Sequence, residues 1–423
     1  MATDNMCTKK MKVKFFTLGC KVNQYETEAL KEEFTRYNFE ITDRKADFYV
    51  INTCTVTHSA DTKSKEAIIK ARRENPQSKI IACGCLAQLN SDYLQRLGVD
   101  YIVPQDRKQY VVDFIIKTNI EGNKDIWSLK INTFFHKRAF VKIQDGCNNF
   151  CTFCKIPYLR GPSRSRKKED IIDEVKRLIP YHYEIVLCGI NLGLYGKDIN
   201  PKTSLAELLR DVLKIEGLGR IRLSSLEPSL INEDLLDLFK NQKLCPHLHL
   251  PFQSGDDTIL RLMNKKETTR VYYNVVEKVR KIRPLIAISC DIMVGFPSEE
   301  DKHFKNTVNF LHNIRPMRMH IFRFSPRENT VFSGMVLKGQ RKIKERLDFL
   351  KKMKDKFSYE YRKKFVNKSL FMVAEERKNG YTVGYTENYI RPFLKENVPL
   401  GSVKKVRVSE VSKEKTFVII DEA

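Results

Sequence analysis

The sequence predicts an α/β protein built in three parts. These are an N-terminal doubly wound parallel sheet, a central partial (βα)6 barrel of TIM type, and a small antiparallel β-barrel at the C-terminus. Three observations carry this prediction. Short apolar runs alternate with amphipathic helical stretches over residues 13–104, and the alternation resumes over 139–325. From Lys363 onward, short segments with period-two patterning are separated by turn residues.

In the first series, VKFFTLG (13–19), ADFYVINT (46–53), SKIIACG (78–84) and GVDYIVP (98–104) have the length and β-branched content of buried strands. Helical stretches such as NQYETEALKEEFTRY lie between them, which is the rhythm of βαβ units. The second series comprises AFVKIQ (139–144), EIVLCGIN (184–191), RIRLSSLEP (220–228), PHLHLPFQ (246–253), AISCDIMVGF (287–296) and MRMHIFRFS (317–325). Six βα units make a barrel two strands short of closure, with a gap through which a large substrate has lateral access. A long helix follows, with Ile343, Leu347, Leu350, Met353, Phe357, Tyr361 and Phe365 at steps of three and four. Domain boundaries are expected at 11–125, 133–362 and 363–423.

The 76 Lys and Arg residues against 52 Asp and Glu leave a formal charge of +24, which favours polyanionic partners such as nucleic acid. Residues 363–423 hold twelve Lys/Arg, eight Asp/Glu and interleaved Tyr and Phe, the composition of a basic, stacking surface for single-stranded nucleic acid. No apolar run reaches the roughly 20 residues of a membrane span. The N-terminus has no signal-peptide pattern, so a cytoplasmic, membrane-free protein is expected, with a monomer as the default.

Eleven cysteines, an odd number, do not make a disulfide framework for such a compartment. Cys20, Cys54 and Cys85 each follow a strand of the first series, so parallel strands bring them to one sheet edge, where open α/β sheets place ligands. In QDGCNNFCTFCKIPYLRGPSRSR (144–166), Cys147, Cys151 and Cys154 form a CxxxCxxC loop with no second pair downstream to complete a zinc site. Three thiolates hold three corners of a [4Fe–4S] cube and leave one iron for an external chelator. Cys7, Cys83, Cys188, Cys245 and Cys290 read as packing residues.

CxxxCxxC after the first strand of a βα barrel, with an aromatic before the last Cys, resembles the radical S-adenosylmethionine superfamily. TLGCKVNQYET (17–27), INTCTVT (51–57) and GCLAQ (84–88) resemble the N-terminal domain of the methylthiotransferases. DGCNNFCTFCKIPYLRGPSRSR, RLSSLEP, HLPFQSG and DIMVGFPSE resemble their radical domain, and the terminal barrel resembles their RNA-gripping TRAM domain. The forms LGCKVNQYET and GPSRSR are most similar to those of the threonylcarbamoyladenosine tRNA methylthiotransferases. FRFSPRENT (322–330) departs from the family pattern, in which a further basic residue and a tighter turn are usual.

The resemblance implies S-adenosylmethionine and two [4Fe–4S] clusters. One would be held by Cys147, Cys151 and Cys154 as the catalytic radical centre, the other by Cys20, Cys54 and Cys85 as an auxiliary, sulfur-delivering centre. Cleavage of the sulfonium would give a 5′-deoxyadenosyl radical, able to open the C2–H of an adenine beside the anticodon, at position 37. The implied partners are the tRNA anticodon loop, an electron donor such as flavodoxin or ferredoxin, and a sulfur donor. Two alternatives of the same fold act on isopentenyladenosine in tRNA or on an aspartate of a ribosomal protein. A zinc-containing, non-catalytic nucleic-acid-binding protein is the alternative of another class.

Polar residues at strand ends are candidates for binding S-adenosylmethionine: Asn191, Ser224, Glu227, Gln253, Ser254 and Asp291. Arg164 and Arg166 of GPSRSR are expected to face the barrel mouth, toward the cofactor carboxylate or an RNA phosphate.

Overall fold

The computed structural model describes residues 10–116, 124–336 and 339–421, and Cys7 lies outside them. The chain divides into two compact units. The first runs to Asn132 and also takes in Tyr158–Arg160; the second holds the remainder.

The first unit is a parallel sheet of β1 (Lys12–Thr17), β2 (Glu40–Ile41), β3 (Phe48–Thr53), β4 (Lys79–Gly84) and β5 (Tyr101–Val103), ordered β2-β1-β3-β4-β5. The two-residue edge strand β2 has no sequence signal, being too short to show a period. Pairing of Thr17 with Asn52 and of Thr53 with Gly84 puts the ends of β1, β3 and β4 on one edge. The helix Lys21–Arg36 buries Val22, Ala29, Leu30 and Phe34, spaced for one face.

The second unit opens with β6 (Ala139–Lys142), followed by a hairpin of β7 (Gln144–Asp145) and β8 (Arg164–Ser165). The hairpin brackets the CxxxCxxC loop and is also absent from the sequence reading. The remaining barrel strands are β9 (Glu184–Cys188), β10 (Arg220–Leu223), β11 (His247–Gln253), β12 (Ala287–Val294) and β13 (Arg318–Arg323). All run parallel, in the order β6-β9-β10 and β11-β12-β13, with bridges Ile221–Leu244 and Ser225–His249 joining the halves. Six strands thus form an open barrel, as the alternation in the sequence predicts. On β12, Cys290, Ile292 and Val294 are fully buried while Ser289 and Asp291 on the other face hydrogen-bond to histidines of β11.

The helix Gln340–Lys363 buries Ile343, Leu350, Met353, Phe357 and Tyr361 and runs on into a closed five-stranded barrel. Its strands are β14 (Ser369–Lys378), β15 (Tyr381–Thr386), β16 (Phe393–Leu394), β17 (Val403–Val411) and β18 (Thr416–Ile420). Arg362 at the helix end donates to the carbonyls of Lys413 (2.6 Å) and Lys415 (2.7 Å), which fastens the helix to the β17–β18 turn.

This small barrel is seated on the amino-terminal ends of the larger barrel's strands through an ionic hub. Glu184, at the start of β9, is wholly buried and accepts from Arg220 Nε (2.6 Å), Arg222 Nε (2.6 Å) and Arg138 Nη1 (3.3 Å). The guanidinium groups then reach across. Arg220 donates to the carbonyls of Phe371 (2.7 Å) and Tyr385 (2.9 Å), and Arg222 to those of Thr386 (2.9 Å) and Glu387 (3.0 Å). Tyr385 lies under Arg138, while Tyr389 stacks on His247 and lies under Arg222 and Arg318. Two aromatics expected to face nucleic acid are thus consumed by this junction. Tyr381, Phe393 and Phe417, with Lys415 over the Phe393 ring, form a separate cluster on the small barrel.

Burial alone would raise the Glu184 pKa, but the three guanidinium groups hold it well below the usual carboxylate range. A carboxyl depressed in the folded state contributes stability that is complete above its unfolded pKa near 4.3 and fades as pH falls below that value. Glu184→Ala leaves three guanidinium groups without their common partner and is expected to cost about 3–5 kcal/mol. Urea titrations followed by circular dichroism at pH 7 and pH 3.5 check this: the midpoint deficit of the variant is large at pH 7 and narrows in acid.

Candidate functional site

The edge of the first unit's sheet gathers one trio of cysteines. Cys54 feels the charges of Cys85 and Cys20, and Cys85 that of Cys20, so the thiols are close neighbours. Buried side-chain amides and hydroxyls fix the loops that carry them. Asn23 donates to the carbonyls of Leu18 (2.7 Å) and Thr53 (3.1 Å), and Asn52 returns a bond to Asn23 O (2.9 Å). Thr53 Oγ1 donates to Cys83 O (2.6 Å) and accepts from Leu86 N (3.2 Å). Ser64 bonds to both the amide and the carbonyl of Cys54 (3.3 and 3.0 Å). Gly19, at φ +94°, approaches closely: a Cβ there would lie 2.9 Å from both Cβ and Sγ of Cys54.

Burial pushes the Cys54 thiol up to about 12 and raises that of Cys85. The charge of Arg160 opposes this at both, and Lys108 also opposes it at Cys85. Arg160 donates to Asn23 Oδ1 (2.6 Å) and Glu26 Oε1 (3.2 Å), and Lys108 donates to Glu26 Oε2 (2.5 Å). Positive charge buried beside the thiols favours thiolates, the form in which sulfur binds metal.

The second trio lies in the loop between β7 and β8. Gln144, fully buried, donates from Nε2 to Asp145 O (2.9 Å), Gly146 O (2.7 Å) and Ser163 Oγ (2.9 Å), and its Oε1 accepts from Asn191 N (2.9 Å). A Cβ on Gly146 would lie 2.0 Å from Pro162 O, so only glycine lets the two hairpin arms pass. The far side of the loop is pinned by Thr152 N to Met263 O (3.1 Å), Thr152 Oγ1 to Leu262 O (3.0 Å) and Asn264 Nδ2 to Phe150 O (3.1 Å). Burial raises all three thiols, Cys151 to about 12 and Cys154 to about 11, and the charge of Lys265 opposes it at each. Lys265 is buried and ion-paired with Glu227 and Glu267.

Among the described residues no three Cys, His, Asp or Glu side chains converge as they do on a single metal ion.

The strand-end candidates separate into three groups. The side-chain oxygen and nitrogen of Asn191, Ser224 Oγ and Gln253 Oε1 are buried without a protein partner. Glu227 is engaged with Lys265. Ser254 and Asp291 are committed to the fold: Ser254 Oγ accepts from Asp256 N (3.2 Å), and Asp291 is held between His249 (3.1 Å) and His320 (3.2 Å). Arg164 is half-buried in β8. The expectation that Arg166 faces the mouth is corrected by the structure. Its guanidinium is buried against the helix Lys168–Leu178 and forked onto both Glu174 oxygens (2.9 and 2.9 Å). Lys265, Gln144 and Arg160 were missed, because a lone cation or amide carries no signal until the fold shows what it faces. Cys83, Cys188, Cys245 and Cys290 are fully buried packing residues.

The profile of the radical SAM superfamily matches residues 141–311, and that of the uncharacterized protein family UPF0004 matches residues 12–103. Among solved structures, the radical S-adenosylmethionine methyltransferase TsrM of Kitasatospora setae, with cobalamin and a [4Fe–4S] cluster bound, shares this fold. Its TM-score is 0.56 at 12% identity, covering 74% of this chain and 75% of that one. The fold is therefore that of the radical S-adenosylmethionine enzymes.

Curated relatives narrow the class. The threonylcarbamoyladenosine tRNA methylthiotransferase MtaB of Thermotoga maritima is 38% identical over 95% of both chains, and that of Bacillus subtilis is 36% identical over 94% of this chain and 93% of the relative. The tRNA-2-methylthio-N6-dimethylallyladenosine synthase of Thermodesulfovibrio yellowstonii is 33% identical over 93% and 95%. The chain belongs to the radical S-adenosylmethionine methylthiotransferase family. Membership brings S-adenosylmethionine and [4Fe–4S] clusters as cofactors, and the partnerless polar atoms beside the cysteine loop fit such a polar ligand.

Two outcomes test this geometry. Gly19→Ala is expected to displace Cys54, so that anaerobically reconstituted protein loses about half its iron while keeping its far-ultraviolet dichroism. Asn191→Ala and Gln253→Ala are each expected to raise the dissociation constant for S-adenosylmethionine up to about tenfold, read by calorimetry, with iron content unchanged.

Proposed function

We propose that this enzyme adds a methylthio group to C2 of N6-threonylcarbamoyladenosine beside the anticodon of tRNA. The observation that carries this reading is the match, over nearly the whole chain, to relatives bearing that name, those of Thermotoga maritima and Bacillus subtilis at 38% and 36% identity against 33% for the dimethylallyladenosine enzyme of Thermodesulfovibrio yellowstonii. In this reading Cys147, Cys151 and Cys154 hold the radical cluster, and Cys20, Cys54 and Cys85 hold the auxiliary cluster. Residues 11–125, 133–362 and 363–423 are the sulfur-delivering, radical and RNA-gripping parts.

When bound, the cofactors supply a carbon radical able to open an unactivated aromatic C–H bond, together with the sulfur that replaces the hydrogen. The residues of the chain position and shield. Asn191, Ser224 and Gln253 present unspent hydrogen-bonding atoms to S-adenosylmethionine, Gln144 and Gly146 hold the cysteine loop in register, and Lys265 offsets thiolate charge. Phe153, between two cysteines of the loop, packs against the apolar cluster that holds Met263, Met293 and Phe296 and keeps water from that side. The formal charge of +24 holds tRNA phosphates, and the target base lies in a single-stranded loop from which it is drawn out at low cost.

The further partners in this reading are a low-potential electron donor, such as flavodoxin or ferredoxin, and a sulfur donor. The setting is the cytoplasm; no described helix is long and apolar enough to cross a membrane.

Nucleoside mass spectrometry of tRNA from a deletion strain tests the substrate. Loss of the methylthio form of threonylcarbamoyladenosine, restored by the wild-type gene, is expected; loss of methylthio-isopentenyladenosine instead overturns the assignment. Roughly eight irons per chain are expected in the reconstituted enzyme, falling to about four when Cys147, Cys151 and Cys154 are all replaced by Ala. tRNA affinity is expected to fall steeply between 50 and 300 mM salt in a filter-binding titration.

A further inference from the structure

We propose that His320, on the open edge of the partial barrel, is a specificity-determining residue that binds the threonyl carboxylate of the modified adenosine. The inference deepens the substrate reading above and rests on it. β13 is the last strand of the barrel and pairs with β12 alone, so His320 stands at the gap through which a large substrate has lateral access. Its side chain is 70% exposed.

The ring is held rather than loose. His320 Nδ1 lies 3.2 Å from Asp291 Oδ1, while Asp291 Oδ2 meets His249 Nε2 at 3.1 Å and His249 Nδ1 meets Ser289 Oγ at 3.0 Å. One carboxylate therefore serves two imidazoles, one from each neighbouring strand. Its hydrogen bond with Asp291 favours the protonated form of His320. With Nδ1 facing Asp291, Nε2 is the ring's remaining donor on the exposed side.

Position completes the argument. His320 stacks on Phe322, with ring centroids 5.3 Å apart and planes 26° apart. Phe322 packs on the same apolar cluster as Phe153, which sits between Cys151 and Cys154. The imidazole, through Phe322, and the cysteine loop, through Phe153, thus pack on one apolar cluster. A threonylcarbamoyl substituent carries a carboxylate and an isopentenyl substituent carries none, so a fixed cation at this edge separates the two by charge. Asp291 is a positioning residue here, acting through His320.

The test uses the full-length reconstituted enzyme and two anticodon stem-loop RNAs. One carries threonylcarbamoyladenosine and the other its carboxylate methyl ester, and binding is read by fluorescence anisotropy at one salt concentration. Wild type is expected to favour the free acid about tenfold. His320→Ala is expected to bring that ratio to about one while leaving the ester's affinity unchanged, and His320→Lys to restore part of the preference. A wild-type ratio near one overturns the proposal, as does an equal loss for both RNAs in His320→Ala. Nucleoside mass spectrometry of the same reactions keeps the two failures apart. A wild-type enzyme that methylthiolates the threonylcarbamoyl RNA without preferring its acid removes only the subsite. One that acts instead on isopentenyladenosine RNA removes the substrate reading with it.

Discussion

The second unit depends on a single buried carboxylate. Glu184 sits where three strands of the open barrel begin, and without it Arg138, Arg220 and Arg222 would bring three like charges into a space closed to water. With it, and with Glu375 on Arg138 and Glu387 on Arg220, three carboxylates balance the three guanidinium groups, which keep donors to spend on the other side. They spend them on main-chain carbonyls of the small barrel. An incomplete barrel lacks the closure that rigidifies a full ring, and this hub, roofed by Tyr385 and Tyr389, ties its amino-terminal end together instead. The opposite end is thereby left to loops and ligands.

At the working ends of both sheets the problem is reversed. Cysteines must be buried to protect what they bind, yet burial favours the protonated thiol over the thiolate that metal needs. Each trio is accompanied by a buried cation that pulls the other way, Arg160 with Lys108 in one case and Lys265 in the other, and each cation is itself held by glutamate. The two sites are unrelated in sequence and lie on different folds. Their shared electrostatic arrangement follows from the chemistry of sulfur.

Much of this was legible in the residues. Strand positions, the six-unit barrel and the grouping of Cys20, Cys54 and Cys85 followed from periodicity and from the shared direction of parallel strands. The short elements β2, β7 and β8 were not legible, because two residues cannot display a period. Arg166 misled because GPSRSR reads as an exposed basic loop, whereas Glu174, placed opposite by a helix, takes the charge inside. Tyr385 and Tyr389 misled in the same way: an aromatic beside basic residues suits RNA stacking and cation–π packing equally, and only the fold shows which partner is nearer.

The attachment of the small barrel bears on how an RNA could be handled. Arg362 fastens the long helix to the β17–β18 turn, and four carbonyls fix the barrel to the arginine hub, so no slack segment separates a grip on RNA from the radical centre. A hand that cannot move relative to its workbench needs a pliable workpiece. On the proposed reading, the bending that carries the adenosine to the cysteine loop belongs to the nucleic acid. Stiffness of the anticodon arm, as well as its sequence, then becomes part of what the enzyme selects.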